Sequence, residues 1–237
     1  MGNKKGFLIV FDGLDGTGKN TQSNKLAEYF DSVGINYKKI SFPTYGTPSG
    51  DLVKKYLHGE ITLDDKNDIG LEKFRKSFLY VTDRCVNMTK KDETGNSILD
   101  YYNDGYVIIC DRYVSSNFLF MTAETSIQDF RLYVSVMEMI EYTLCGLPRP
   151  DISLFLEMPP EKSLECIEKR GEEKDINENL TKLKSAYSSL NRYKEECKND
   201  SSKYFINCIS EDNEIRSIED IHKEIVEIFI GSIDKLY

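Results

Sequence analysis

Gly13-Leu14-Asp15-Gly16-Thr17-Gly18-Lys19 satisfies the spacing G-x-x-x-x-G-K, directly after the apolar run Phe7 to Phe11 and directly before a helical pattern. That is the placement needed to hold a phosphate chain. Glycines let the backbone wrap phosphate oxygens closely, a helix N-terminus offers unpaired N–H groups and a positive dipole, and the Lys19 ammonium adds a point charge. Gly13, Asp15, Gly16, Thr17, Gly18, Lys19, Asn20 and Thr21 are therefore expected to hold the phosphates of a nucleotide. Asn20 stands where a Ser or Thr hydroxyl normally ligates magnesium, and Thr21 follows it, so the metal ligand in this loop stays open between them.

Asp111-Arg112-Tyr113 closes a second apolar run, Tyr106 to Cys110. In a parallel sheet the carboxyl ends of the strands open onto the ligand crevice, so this charged pair is expected to face the phosphates held by the first loop. Asp111 can hold magnesium or its waters, and Arg112 can grip a second phosphate bidentately.

The elements that must position these groups follow from the hydrophobic pattern. Strand-length apolar runs at Phe7 to Phe11, Tyr37 to Phe42, Tyr106 to Cys110, Ile152 to Leu156 and Tyr204 to Cys208 alternate with helix-length amphipathic segments. The alternation predicts an α/β fold with a five-stranded parallel sheet flanked by helices, in three layers. FLIVF, YVIIC and ISLFL are apolar at nearly every position and are placed centrally. Helices are expected over Thr21 to Phe30 (with Gly34 as its stop), Gly50 to Leu57, Ile69 to Met88, Ile127 to Leu144, Pro160 to Lys169, Glu178 to Cys197 and Ser217 to Ile228. The whole chain, 1–237, reads as a single domain, and the acidic stretch 170–179 (RGEEKDINEN) as a short lid.

Composition narrows the function classes. With 31 Lys+Arg against 40 Asp+Glu, the net charge of −9 gives no overall field for a nucleic-acid backbone. No window approaches the ~18 apolar residues of a membrane span, and the N-terminal residues do not read as a signal peptide. Six scattered cysteines without a Cys-x-x-Cys pair, beside two histidines, suggest neither a zinc site nor a disulfide framework, and fit a reducing cytoplasm.

Taken in order, F-D-G-L-D-G-T-G-K-N-T-Q (11–22), S-F-P-T-Y (41–45), Tyr80 with Arg84, D-R-Y (111–113), P-D-I-S-L-F-L (150–156) and R-G-E-E-K-D-I-N-E (170–178) resemble the thymidylate kinases, within the P-loop nucleoside monophosphate kinases. Asp12 before the loop and Asp15 inside it are the more diagnostic features. The resemblance implies a P-loop kinase fold and ATP-dependent phosphorylation of dTMP to dTDP, with Mg2+ and a soluble, cytoplasmic setting. It implies a dTMP site of Asp15 (at the sugar 3′-hydroxyl), Phe42, Tyr80, Arg84, Arg112 and Tyr113. Tyr80 would stack on thymine, with core packing as its alternative; Arg84 would meet the base's polar edge or the nearby phosphate. Lys19, Arg112 and Arg170 are implied as catalytic. Gly16 stands where some members carry an arginine, so a lid cation, Arg170 or else Lys174, is expected in its place.

Two other readings stay open: a deoxynucleoside kinase of the same fold, for which Asp12 would be the base, and a catalytically silent nucleotide binder. A GTPase-like switch is disfavoured, because no Asn-Lys-x-Asp signature occurs. ATP and dTMP are the implied partners, without nucleic acid or membrane. A homodimer through Tyr133 to Tyr142 is one option for that stretch and core packing the other.

Overall fold

The computed structural model describes residues 5–63, 69–122, 125–171 and 175–233. Strands β1 (Phe7–Gly13), β2 (Tyr37–Ser41), β3 (Val107–Asp111), β4 (Ile152–Glu157) and β5 (Lys203–Asn207) form one parallel sheet in the order β2-β3-β1-β4-β5. The three runs that are apolar at nearly every position are the three central strands. Successive residues feed opposite cores: Leu8, Val10, Ile108 and Phe155 face one, Ile9, Phe11, Ile109 and Leu154 the other. A strand buried on both faces leaves little room for polar side chains.

The covering helices are α1 (Lys19–Val33), α2 (Pro48–Leu57), α3 (Ile69–Thr89), α4 (Ile98–Asn103), α5 (Val114–Met121), α6 (Ile127–Glu138), α7 (Pro160–Arg170), α8 (Leu180–Glu196) and α9 (Ile218–Ile233). α1 and α9 close one face, with the rings of Phe30 and Phe229 4.7 Å apart. Residues of α3 to α8 close the other.

Three departures from the sequence expectation have physical reasons. The segment expected as one helix to Leu144 is α6 followed by a π-helical turn, Met139–Leu144, in which the Cys145 N–H donates to the Ile140 carbonyl at 2.8 Å. α5 has no apolar period to read, because Val114 to Leu119 are all buried. α4 is short, yet its capping box was visible in the sequence: Ser97 accepts from the Asp100 N–H, and Asp100 accepts in return from the Ser97 N–H.

α7 packs directly on the phosphate loop. A Cβ on Gly16, whose φ is +78°, would lie 2.5 Å from the Ser163 carbonyl oxygen, so the position where the resemblance implies an arginine in some members is closed here by a helix. Replacing Gly16 with Ala should therefore cost about 1–3 kcal/mol, since the methyl demands both left-handed backbone and occupied space. Thermal unfolding reads this directly; an unchanged midpoint would mean that α7 yields freely.

Candidate active site

The phosphate loop is built for an anion. Gly18 caps α1 in left-handed backbone (φ +86°) with no side chain on the helix's free N–H groups, and the first turn carries no acidic residue. The dipole end is thus left for a ligand. Inside the loop the Thr17 hydroxyl donates to the Leu14 carbonyl at 2.9 Å, and the Lys19 ammonium donates to the same oxygen at 2.5 Å. Burial, together with the neighbouring Arg112, lowers the Lys19 pKa to about 8, against the pull of Asp15, Asp111 and Asp12.

Arg112 follows β3 and also has left-handed backbone, φ +66°. That conformation is unfavourable for a side chain with a Cβ, and it is held by an Arg112 N–H donation to the Phe11 carbonyl at 2.8 Å. The guanidinium forms an ion pair with Asp15 and lies 5.2 Å from the centre of the Phe120 ring. Burial alone would raise the Asp15 pKa, but Arg112, Lys19 and Arg170 bring it below the usual value.

Two cavities meet at this ion pair. One lies along the loop, bordered by Gly18, Lys19, Asn20 and Thr21; the other, of about 420 Å³, is bordered by Phe42, Pro43, Tyr80, Arg84, Asn117 and Phe120. Asp15, Asp111, Arg112 and Arg170 line both. Arg170 is the last residue of α7 and donates to Glu178 at 2.6 Å, within the expected lid; Asp175 and Asn177 of that segment also border the second cavity. Burial and the charge of Asp15 push the Asp175 carboxyl up to about 6. Lys174, the second lid cation of the sequence reading, lies outside the described residues.

For a magnesium ion, the oxygen donors bordering the loop cavity are the Asp111 and Asp15 carboxylates, the latter paired with Arg112, the Asn20 amide and the Thr21 hydroxyl, and no group of three or more His, Cys, Asp or Glu able to hold a metal occurs among the described residues. Mg2+ bound through one carboxylate, waters and substrate phosphates needs no such cage, so Asp111 fits. The Asn20 Oδ1 accepts from the Lys39 ammonium at 3.1 Å, which occupies that oxygen, and Thr21 is exposed beside it.

The family model for thymidylate kinase matches residues 11–225. The chain belongs to the thymidylate kinase family. It is 30% identical over 227 residues to a probable thymidylate kinase of Pyrococcus horikoshii, covering 94% of this chain and 96% of that one. It is 28% identical over 229 residues to the thymidylate kinase of Plasmodium falciparum, with 94% and 90% covered. The thymidylate kinase structure from Candida albicans superposes with a TM-score of 0.70 at 21% identity, over 96% of this chain and 92% of that one, and so shares the P-loop kinase fold.

Most residues expected from the thymidylate kinase resemblance border the two cavities. Gly13, Thr17 and Tyr113 border neither; the Tyr113 ring is fully buried, its hydroxyl donates to the Pro148 carbonyl at 3.1 Å, and it packs near Phe42 and Tyr142. Asp12, the candidate base of the rival kinase reading, is also buried; its two oxygens accept from the Ser115 and Ser116 hydroxyls in the first turn of α5. Burial raises its pKa in spite of those two donors. It borders neither cavity.

Three contributors escaped the sequence reading. Asn117 is 2% exposed, borders the second cavity, and its Nδ2 has no hydrogen-bond partner. Asp83 accepts from the Thr44 N–H at 2.8 Å and the Ser49 hydroxyl at 2.9 Å, fastening the segment after Phe42-Pro43 to α3. Glu141 forms a buried ion pair with Arg84. The available signal for Glu141 was a carboxylate continuing the buried stripe Phe130, Tyr133, Met137.

The Lys19 pKa gives a pH test. In the free protein the ammonium loses its proton as pH rises through about 8, whereas bound phosphates hold the charge on. The expected profile is kcat/KM for ATP falling above about pH 8 while kcat stays level into higher pH. A kcat/KM that stays level past the same point would show that burial costs Lys19 little.

Proposed function

We propose that the two cavities bind the two substrates of ATP-dependent dTMP phosphorylation, ATP along the phosphate loop and dTMP in the pocket beside it, giving ADP and dTDP. The supporting observation is that Asp15, Asp111, Arg112 and Arg170 border both, so a donor and an acceptor phosphate would be apposed there. An oxygen of the dTMP phosphate attacks the γ-phosphorus, a new P–O bond forms, and the bond to the ADP oxygen breaks. The attacking oxygen is already anionic, so no base is required, and catalysis is positioning and charge stabilisation.

In this reading Lys19 holds the β/γ oxygens, Arg112 grips the dTMP phosphate, and Asp15 turns to the sugar 3′-hydroxyl. Tyr80 offers its ring to the base, and Asn117 and Arg84 offer N–H donors to the thymine carbonyls. Magnesium, held by Asp111 through water, would neutralise charge on the ATP phosphates. Arg170 leaves Glu178 to meet the transferring group. The substrates are small molecules, and nothing in this reading calls for nucleic acid or a membrane; no helix among the described residues is long and apolar enough to cross one. Six cysteines without a disulfide support a reducing, cytoplasmic setting.

The chain acts as one kinase domain and, in this reading, pairs with a second copy. α3 leaves Leu71, Phe78 and Val86 exposed, and the adjoining α6 and π-turn leave Leu132, Met139 and Leu144. Tyr133 and Met137, on the opposite side of α6, are core, so both options for that stretch apply to different faces of it. Sedimentation equilibrium should give twice the chain mass for the native protein and the chain mass for Leu132→Glu.

A coupled assay offering ATP with dTMP or with thymidine tests the central reading: transfer to dTMP is expected, and transfer only to the 5′-hydroxyl of thymidine would replace it. Arg112→Ala should raise KM for dTMP at least ~10-fold with a smaller change for ATP. Arg170→Ala should lower kcat by at least ~10-fold with ATP affinity within a few-fold, because the contact belongs to the transition state. A silent Arg170→Ala would remove the lid residue from the mechanism.

A further inference from the structure

The floor of the acceptor cavity contains a fully buried ion pair whose second member has no assigned part in the reaction. Arg84 is 1% exposed and Glu141 0%. The Nε–H of Arg84 donates to one Glu141 oxygen at 2.5 Å and Nη2–H to the other at 2.7 Å, while Nη1–H donates to the Tyr113 carbonyl at 3.3 Å. A guanidinium has five N–H donors. Three are taken, and one remains on each terminal nitrogen of a side chain that borders the cavity.

The backbone under Glu141 is unusual as well. The carboxylate continues the buried stripe of α6, and the chain changes there from α to π spacing, with Cys145 N–H bonded to Ile140 and Leu147 N–H to Glu141 itself at 3.0 Å. Such widened turns recur where a side chain has to be placed for function. A buried ion pair is a poor source of stability, because desolvation offsets most of the attraction, and apolar residues of similar size generally fill such a space as well.

We infer that Glu141 is a positioning residue for base selection: it orients and charge-balances the Arg84 fork so that the cavity presents N–H donors to a carbonyl edge rather than a net cation to a second phosphate. The inference rests on the reading that dTMP occupies this cavity. Asn117, with its own unpartnered Nδ2 donor, borders the same space. The matching ligand edge therefore carries acceptors. Thymine presents a carbonyl at position 4, whereas cytosine presents an amino group that would leave a buried donor facing a donor. Discrimination of that kind is large, because the unpaired groups stay desolvated.

The experiment compares wild type, Glu141→Gln and the double variant Arg84→Met/Glu141→Met with dTMP, dUMP and dCMP, following thermal unfolding beside the kinetics. Glutamine retains the shape but has one acceptor and adds a donor toward the fork. Glu141→Gln is expected to raise KM for dTMP and dUMP together by at least ~10-fold, to leave KM for ATP within ~2-fold, and to reduce the dTMP preference over dCMP by at least ~10-fold. The double variant removes both charges, should fold even where the single one does not, and should show the same loss of preference. A purely structural glutamate would change the unfolding temperature with KM and base preference intact. Wild-type preference in a folded Glu141→Gln, or in the double variant, overturns the inference. Failure of the wild-type enzyme to use dTMP at all would instead overturn the functional reading on which it rests.

Discussion

The ion pair between Arg112 and Asp15 ties the end of β3 to the loop that follows β1, and the geometry of the cleft depends on it. Arg112 reaches Asp15 from left-handed backbone, a conformation that the adjoining strand stabilises through the Phe11 carbonyl. The central strands of the sheet are what hold it there: β1 and β3 pair in register from Phe7–Val107 to Phe11–Asp111, with both faces covered. A guanidinium on a flexible loop would lose much of its gripping energy to ordering; this one is ordered by the core.

Three other charges near the cleft are likewise compensated within the protein. Asp12 accepts from two hydroxyls at the start of α5, Arg84 is matched by Glu141, and Arg170 is matched by Glu178. In water-poor surroundings an unmatched charge is expensive, so the protein holds its cations on internal carboxylates. In the proposed function this is a division of labour: Arg84 keeps a buried partner and serves as an oriented donor, while Arg112 and Arg170, paired with a partly exposed residue and with Glu178, exchange those partners for phosphate oxygens.

The acceptor wall shows the same economy of means. Asp83 takes the Thr44 N–H and the Ser49 hydroxyl, so one carboxylate next to Arg84 fastens the segment after Phe42-Pro43 and the start of α2 to α3. The cavity residues Phe42, Pro43, Tyr80 and Arg84 on that side are therefore held together by a single helix. Asp83 has no apolar period and no motif of its own in the chain, which is why only its neighbour Arg84 could be singled out beforehand.

By itself the sequence determined the architecture and the strand–loop–helix placement of the G-x-x-x-x-G-K motif, because both rest on local rules. Runs that are apolar at nearly every position have to be central strands, Gly13 to Lys19 has to turn from strand to helix, and family membership follows from motifs in order. Spacing also put Tyr80 and Arg84 on one helix face, and both border the acceptor cavity. Tertiary structure decided which way each polar group turns. Tyr113, beside Arg112 in the chain, points into the core; Asp12 serves α5 instead of a substrate; Gly16 is closed to any side chain by α7; Glu141, distant in sequence, pairs with Arg84. These outcomes depend on partners far along the chain, 35 residues away for Tyr113 with Pro148, 57 for Arg84 with Glu141 and 104 for Asp12 with Ser116. A periodic pattern records which face is buried, but not which donor on that face will meet which acceptor.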